Sequence, residues 1–95
     1  MKKFRLNNGE WTDNVLPYCL FETVKEVNEC DLRARSKKPI PAGAQLEDAR
    51  VFQNYYGVYV SCRYEGEHYN IEATDVKAIV TEAAEEEIRK MRTGW

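Results

Sequence analysis

The sequence has no run of apolar residues approaching the roughly 18 needed to cross a bilayer as a helix, so no membrane-spanning segment is expected. It has little cysteine. Cys19, Cys30 and Cys62 are an odd number at wide spacing, which does not describe a disulfide framework. Three reduced, mostly buried thiols are expected instead. Glycine and proline are sparse, five and three residues, with no repeat or low-complexity stretch, which excludes a collagen-like chain. There is no glycine-rich phosphate loop, because Gly43, Gly57 and Gly66 stand alone at turns. After Lys2, Lys3, Phe4, Arg5 and Leu6 the chain turns polar at Asn7. The apolar stretch of a secretory signal is missing there, and a cytoplasmic location is expected.

What is present describes one soluble globular domain spanning residues 1–95. Of the 95 residues 43% are apolar, 32% charged and 12% aromatic, too many aromatics for a disordered chain. A domain of this length buries roughly 60–65% of its unfolded-chain surface, enough to fold without metal or disulfides. The net charge of −2 decides nothing about nucleic acid, because local patches govern binding.

Asn8-Gly9 supplies two residues that tolerate positive φ, and predicts a small hairpin pairing Asn7 with Glu10 and Leu6 with Trp11. Residues 18–27 are rich in β-branched and aromatic types and read as a strand. From Cys30 to Lys37 apolar and charged residues alternate. A strand there turns Cys30, Leu32, Ala34 and Ser36 inward and Asp31, Arg33, Arg35 and Lys37 outward. Residues 38–43 are punctuation and a turn, and Gln45 to Gln53 suits another strand, ending at Asn54-Tyr55-Tyr56-Gly57.

The sharpest local signal lies between Val58 and Ala73. A two-residue turn at Glu65-Gly66 pairs Tyr64 with Glu67, Arg63 with His68, Cys62 with Tyr69, Ser61 with Asn70, Val60 with Ile71, Tyr59 with Glu72 and Val58 with Ala73. Paired residues share a face. Val58, Val60, Cys62, Tyr69, Ile71 and Ala73 then collect on one side, and Tyr59, Ser61, Arg63, His68, Asn70 and Glu72 on the other. The C-terminus has helical spacing. Thr74 can cap one long helix, or Thr81 a shorter one after a strand over Lys77–Val80. The shorter helix is preferred. It puts Glu82, Glu85 and Glu86 at its positive end and Arg89, Lys90 and Arg92 at its negative end.

Taken together, residues 28–80 resemble an SH3-like barrel. Lys38 to Ala44 is similar to that family's divergent turn, Val58 to Ile71 to its distal hairpin, and Thr74 to Ile79 to its closing turn and last strand. The resemblance implies a mainly β domain: a small SH3-like barrel over 28–80, an N-terminal β extension over 1–27 and a C-terminal helix over 81–93. It also places Tyr59 where the family carries its ligand-facing tryptophan. The groove proline and tyrosine of that family fall on Glu72 and Asp75, so binding of proline-rich helices is not implied.

Candidate chemistry is thin. Cys19, Cys30, Cys62 and His68 include no close Cys-x₂-Cys pair of the kind zinc sites use, and neither metal nor cofactor is expected. Ser61 lies diagonally from His68, the only histidine, without an orienting acid or an oxyanion loop. The expectation is therefore a non-catalytic protein that binds a protein partner through Tyr55, Tyr56, Tyr59, Arg63 and His68, residue types that supply interface hot spots. One concrete form is a small phage or mobile-element inhibitor that occludes a host protein. The alternative is a nucleic-acid-binding module using Arg33, Arg35, Lys37 and Lys38, four positive charges within six residues. The acidic residues Glu82, Glu85, Glu86 and Glu87 are explained by helix-end electrostatics, and Trp95 is expected to fold back on the domain.

Overall fold

Alternating apolar residues and short polar turns build most of the chain into antiparallel strands. The computed structural model describes residues 2–31, 33 and 37–92. Their order is β1 (Lys3–Leu6), β2 (Gly9–Thr12), a 3₁₀ turn (Leu16–Tyr18), β3 (Leu20–Thr23), β4 (Gln45–Asn54), β5 (Gly57–Tyr64), β6 (Glu67–Glu72), a second 3₁₀ turn (Ala73–Asp75), β7 (Val76–Ile79) and helix α1 (Glu82–Arg92). The protein is mainly β, with seven strands in two sheets and one C-terminal helix. β1 and β2 form one sheet, and the other runs β6-β5-β4-β3-β7. Among the described residues no helix is long and apolar enough to cross a membrane.

The β5–β6 hairpin has the register read from the sequence, from Tyr64↔Glu67 through Tyr59↔Glu72. Glu65 and Gly66 both take positive φ, +51° and +82°, as a tight hairpin turn requires. The expected Val58–Ala73 pair is replaced by the second 3₁₀ turn, which begins at Ala73. Val60, Cys62, Tyr69 and Ile71 face the core, where Leu6, Phe21, Ile40, Leu46, Val76 and Ala84 are also buried. Each large aliphatic side chain buried there contributes about 1.5–3 kcal/mol.

Helix α1 begins where the shorter reading puts it. Thr81 Oγ1 accepts the Ala84 N–H at 3.2 Å, its hydroxyl donates to the Tyr18 carbonyl, and the preceding residues form β7. The helix lies against the first hairpin, where Thr12 reaches Met91 Sδ at 3.8 Å. The expected position of Trp95 falls outside the described residues.

Three local expectations are corrected. The first hairpin forms, but its turn is Asn7-Asn8. Leu6 faces Gly9 and Phe4 faces Trp11, while Gly9 takes φ +125° inside β2. Second, the strand expected over 18–27 is confined to Leu20–Thr23. Pro17 sits in a 3₁₀ turn before it, and after Thr23 the Val24 N–H carries the register one step further, to the Asp75 carbonyl in the second 3₁₀ turn. This short strand pairs with both β4 and β7, so the segment read as an N-terminal extension places a strand inside the main sheet. Third, no strand runs from Cys30 to Lys37 among the described residues, and Leu32, Ala34, Arg35 and Ser36 lie outside them. Among the described residues of the loop between β3 and β4, Val27 and Ile40 form an isolated bridge, and the Cys30 N–H bonds the Asn70 carbonyl of β6.

Candidate functional site

The β4–β5 turn sets the site. Asn54 Oδ1 accepts the N–H of Tyr56 at 2.8 Å and of Gly57 at 3.2 Å, a side-chain brace typical of Asn before a turn. The braced turn leaves Tyr55 and Tyr56 97% and 84% exposed, their rings edge to face with centroids 5.8 Å apart. Behind them Phe52 and Tyr59 are cross-strand partners. Their rings lie 5.8 Å apart, tilted by 31°.

Phe52, Tyr56 and Tyr59 line an open groove of about 760 Å³, with Asn54, Asn70 and the loop residues Cys30, Asp31 and Arg33. Asp31 Oδ1 accepts the Arg33 backbone N–H at 2.9 Å and the guanidinium Nε at 3.4 Å. The backbone bond first, then the guanidinium, hold this carboxyl below the usual carboxylate range. The groove therefore has an aromatic lining and an acid–guanidinium pair.

Glu29 fixes that loop against the sheet. Its carboxylate, 1% exposed, accepts the Asn70 N–H at 3.1 and 3.2 Å and the Asp31 N–H at 3.1 Å. Lys37 lies 3.5 Å from it, donates to the His68 carbonyl and sits 5.0 Å from the centroid of the Tyr69 ring. The Tyr69 hydroxyl donates to the Lys38 carbonyl at 2.9 Å, and burial pushes its pKa up.

The predicted residues separate into groups. Tyr56 and Tyr59 share the groove, and Tyr55 packs edge to face on Tyr56 without lining it. Arg63 and His68 are cross-strand partners on the same sheet face but do not line the groove. Arg63 lies 4.0 Å from Asp48, and His68 Nε2 makes a 2.7 Å hydrogen bond with Ser61 Oγ. The basic residues do not project together from one strand. Arg33 joins the aromatic groove, Lys37 is committed to Glu29, Lys38 is exposed, and Arg35 lies outside the described residues.

Sequence reading missed Phe52, Asn54, Asn70 and Glu29. The first two were within reach, because a two-residue turn at Tyr55-Tyr56 places Phe52 opposite Tyr59 and Asn54 before the turn. Nothing local marks Glu29, whose partners lie across the fold. Burial pushes the Cys62 thiol up to about 12, with the Glu29 charge adding to it, and raises Cys19 as well. No cysteine is in a disulfide. Among the described residues no three His, Cys, Asp or Glu side chains converge to hold a metal. No protein-family model, curated protein or solved structure matches the chain.

Proposed function

We propose that the protein is a non-catalytic protein-binding module, and that the groove lined by Phe52, Tyr56 and Tyr59 is its binding face. The observation that carries this reading is the pair of almost fully exposed tyrosines on a braced turn beside an open aromatic groove. Exposing such rings costs solvation unless a partner covers them. Aromatic and Arg side chains at the centre of a patch are also the usual anchors of protein interfaces. In favour of a non-catalytic role, the Ser61–His68 pair is exposed, and among the described residues no carboxylate orients the His68 ring.

The finer reading of the fold is an open SH3-like barrel. Supporting it are the long loop after β3, the two-residue turns after β4 and β5, and the 3₁₀ turn leading into β7. On that reading Tyr59 occupies the position of the family's ligand-facing aromatic, and Cys30, Asp31 and Arg33 of the loop after β3 wall the groove.

The test is capture of partners from native lysate by tagged protein, with and without nuclease, at low and high salt. A protein retained under all conditions, and lost with Tyr56→Ala and Tyr59→Ala, is the expected result. Nucleic acid that disappears as salt rises would overturn it in favour of binding through Arg33, Lys38 and Arg35.

A further inference from the structure

The ladder of the β4–β5 hairpin leaves one stretch of backbone without a partner. A two-residue turn makes Asn54 and Gly57 a hydrogen-bonded pair. By alternation Phe52–Tyr59 and Arg50–Ser61 are also hydrogen-bonded pairs. The N–H and C=O groups of Val51 and Gln53 therefore point away from β5. The same alternation turns those of Asn70 and the His68 carbonyl outward on β6, where they bond the Glu29 loop.

Nothing equivalent covers Val51 and Gln53, which take no hydrogen bond on that side from any described residue. β3 pairs with β4 only at Phe21↔Leu46 and Glu22↔Gln45. Just before β3 the chain departs into the 3₁₀ turn, where the Cys19 N–H bonds the Leu16 carbonyl and Pro17 has no N–H to offer. The outer edges of β7 and β6 take hydrogen bonds from Asn7 and Asn8 and from Glu29, Cys30 and Lys37, yet β4 faces a slot.

That slot is open and measures about 900 Å³. Leu16 and Pro17 line it together with Ala49 and Val51 of β4, and with Phe4 and Phe21. Two carboxylates, Asp13 and Asp48, also line it against one cation, Arg50. Among the described residues Asp48 pairs with Arg63 alone, at 4.0 Å, with both side chains mostly exposed.

We propose that this edge of β4 is a second binding site, taking one extended segment of a partner protein as an added strand. Main-chain bonds to Val51 and Gln53 supply affinity, and alternate apolar side chains enter the slot. A Lys or Arg of the segment lies opposite Asp13 or Asp48. A second copy of this chain is the competing occupant, and the dependence of protection on protein concentration separates the two. The site shares no lining residue with the aromatic groove, so the two proposals stand or fall separately.

The experiment is an NMR titration of the whole labelled chain with the synthetic peptide Lys-Val-Thr-Val-Lys-Val. Amide hydrogen exchange at Val51 and Gln53 is expected to slow at least about tenfold, with Arg50 and Phe52 unchanged. The same peptide methylated on alternate backbone nitrogens is expected not to bind. Gln53→Pro removes an outward N–H and no β4–β5 bond, and is expected to weaken binding at least about tenfold. Should that variant fail to fold, Asp13→Asn with Asp48→Asn is expected to weaken the lysine peptide several-fold. Three results would overturn the proposal. One is Val51 and Gln53 amides already as protected as Phe52 in the free protein. Another is protection that grows with protein concentration without peptide, which would make a second copy the occupant. The third is peptide shifts confined to Tyr56 and Tyr59.

Discussion

At the scale of single residues, the Glu29 carboxylate ties together elements far apart in sequence. It holds Asn70 and Asp31 by their backbone N–H groups and has Lys37 as its counter-charge. Glu29→Ala leaves two backbone donors and a lysine without their acceptor, and is expected to cost about 3 kcal/mol. Glu29→Gln keeps an acceptor and is expected to cost less. Urea midpoints at constant slope measure both. Cys62 gives a second prediction. With its thiol held at about 12 in the fold and near about 8.5 when unfolded, the folded state binds the proton more tightly. Its contribution to stability is full below the unfolded value and is lost as pH rises toward the folded one. Urea stability should therefore fall as pH rises from about 8.5 toward about 12, and Cys62→Ala should flatten part of that slope. Iodoacetamide should modify half-exposed Cys30 before the buried Cys19 and Cys62.

Among the elements, the two outer strands of the main sheet are closed by side chains imitating a neighbouring strand. On β7, Asn8 Nδ2 donates to the Ala78 carbonyl at 2.6 Å while its Oδ1 accepts the Ala78 N–H at 3.1 Å. The Asn7 N–H bonds the Val76 carbonyl alongside. This accounts for the first hairpin's register. With Asn8 in the turn rather than Gly9 at its second position, the Asn8 amide is directed at β7. Asn8→Ala is expected to cost about 1–2 kcal/mol and to speed amide exchange at Ala78, with β5 and β6 unaffected. At the helix start, Thr81→Ala removes the cap on Ala84 and is expected to cost about 1 kcal/mol, read by thermal melting.

For the whole molecule, these caps decide how the sheet meets other chains. An uncovered strand edge is a template for association. The double variant Asn8→Ala, Glu29→Ala is expected to self-associate as protein concentration rises, and sedimentation velocity measures this. A double variant that folds and stays monomeric would limit the caps to a stabilising role. On β4 the two proposed sites use different groups: the backbone edge at Val51 and Gln53, and the Phe52 side chain in the aromatic groove.

The sequence alone determined what depends on neighbours along the chain. The β5–β6 register follows from Glu65-Gly66, because the alternation on both sides sorts only one way around that turn. The shorter of two possible helices was preferred from Thr81 and the charges after it, since capping and the helix dipole act within one turn, and the helix starts there. The outward face of Tyr59 followed from the same local alternation. Tertiary structure decided the rest. Alternation from Cys30 to Lys37 suggested a strand, but Glu29, Lys37 and Asn70 bond each other across the fold and hold its described residues as a loop. Residues 18–27 carried strand-forming types, yet the 3₁₀ turn at Pro17 precedes the strand and the 3₁₀ turn over Ala73–Asp75 ends its partner β7, so pairing is confined to Leu20–Thr23. Backbone groups and carboxylates take whichever partners folding brings near, and those partners are not neighbours in the sequence.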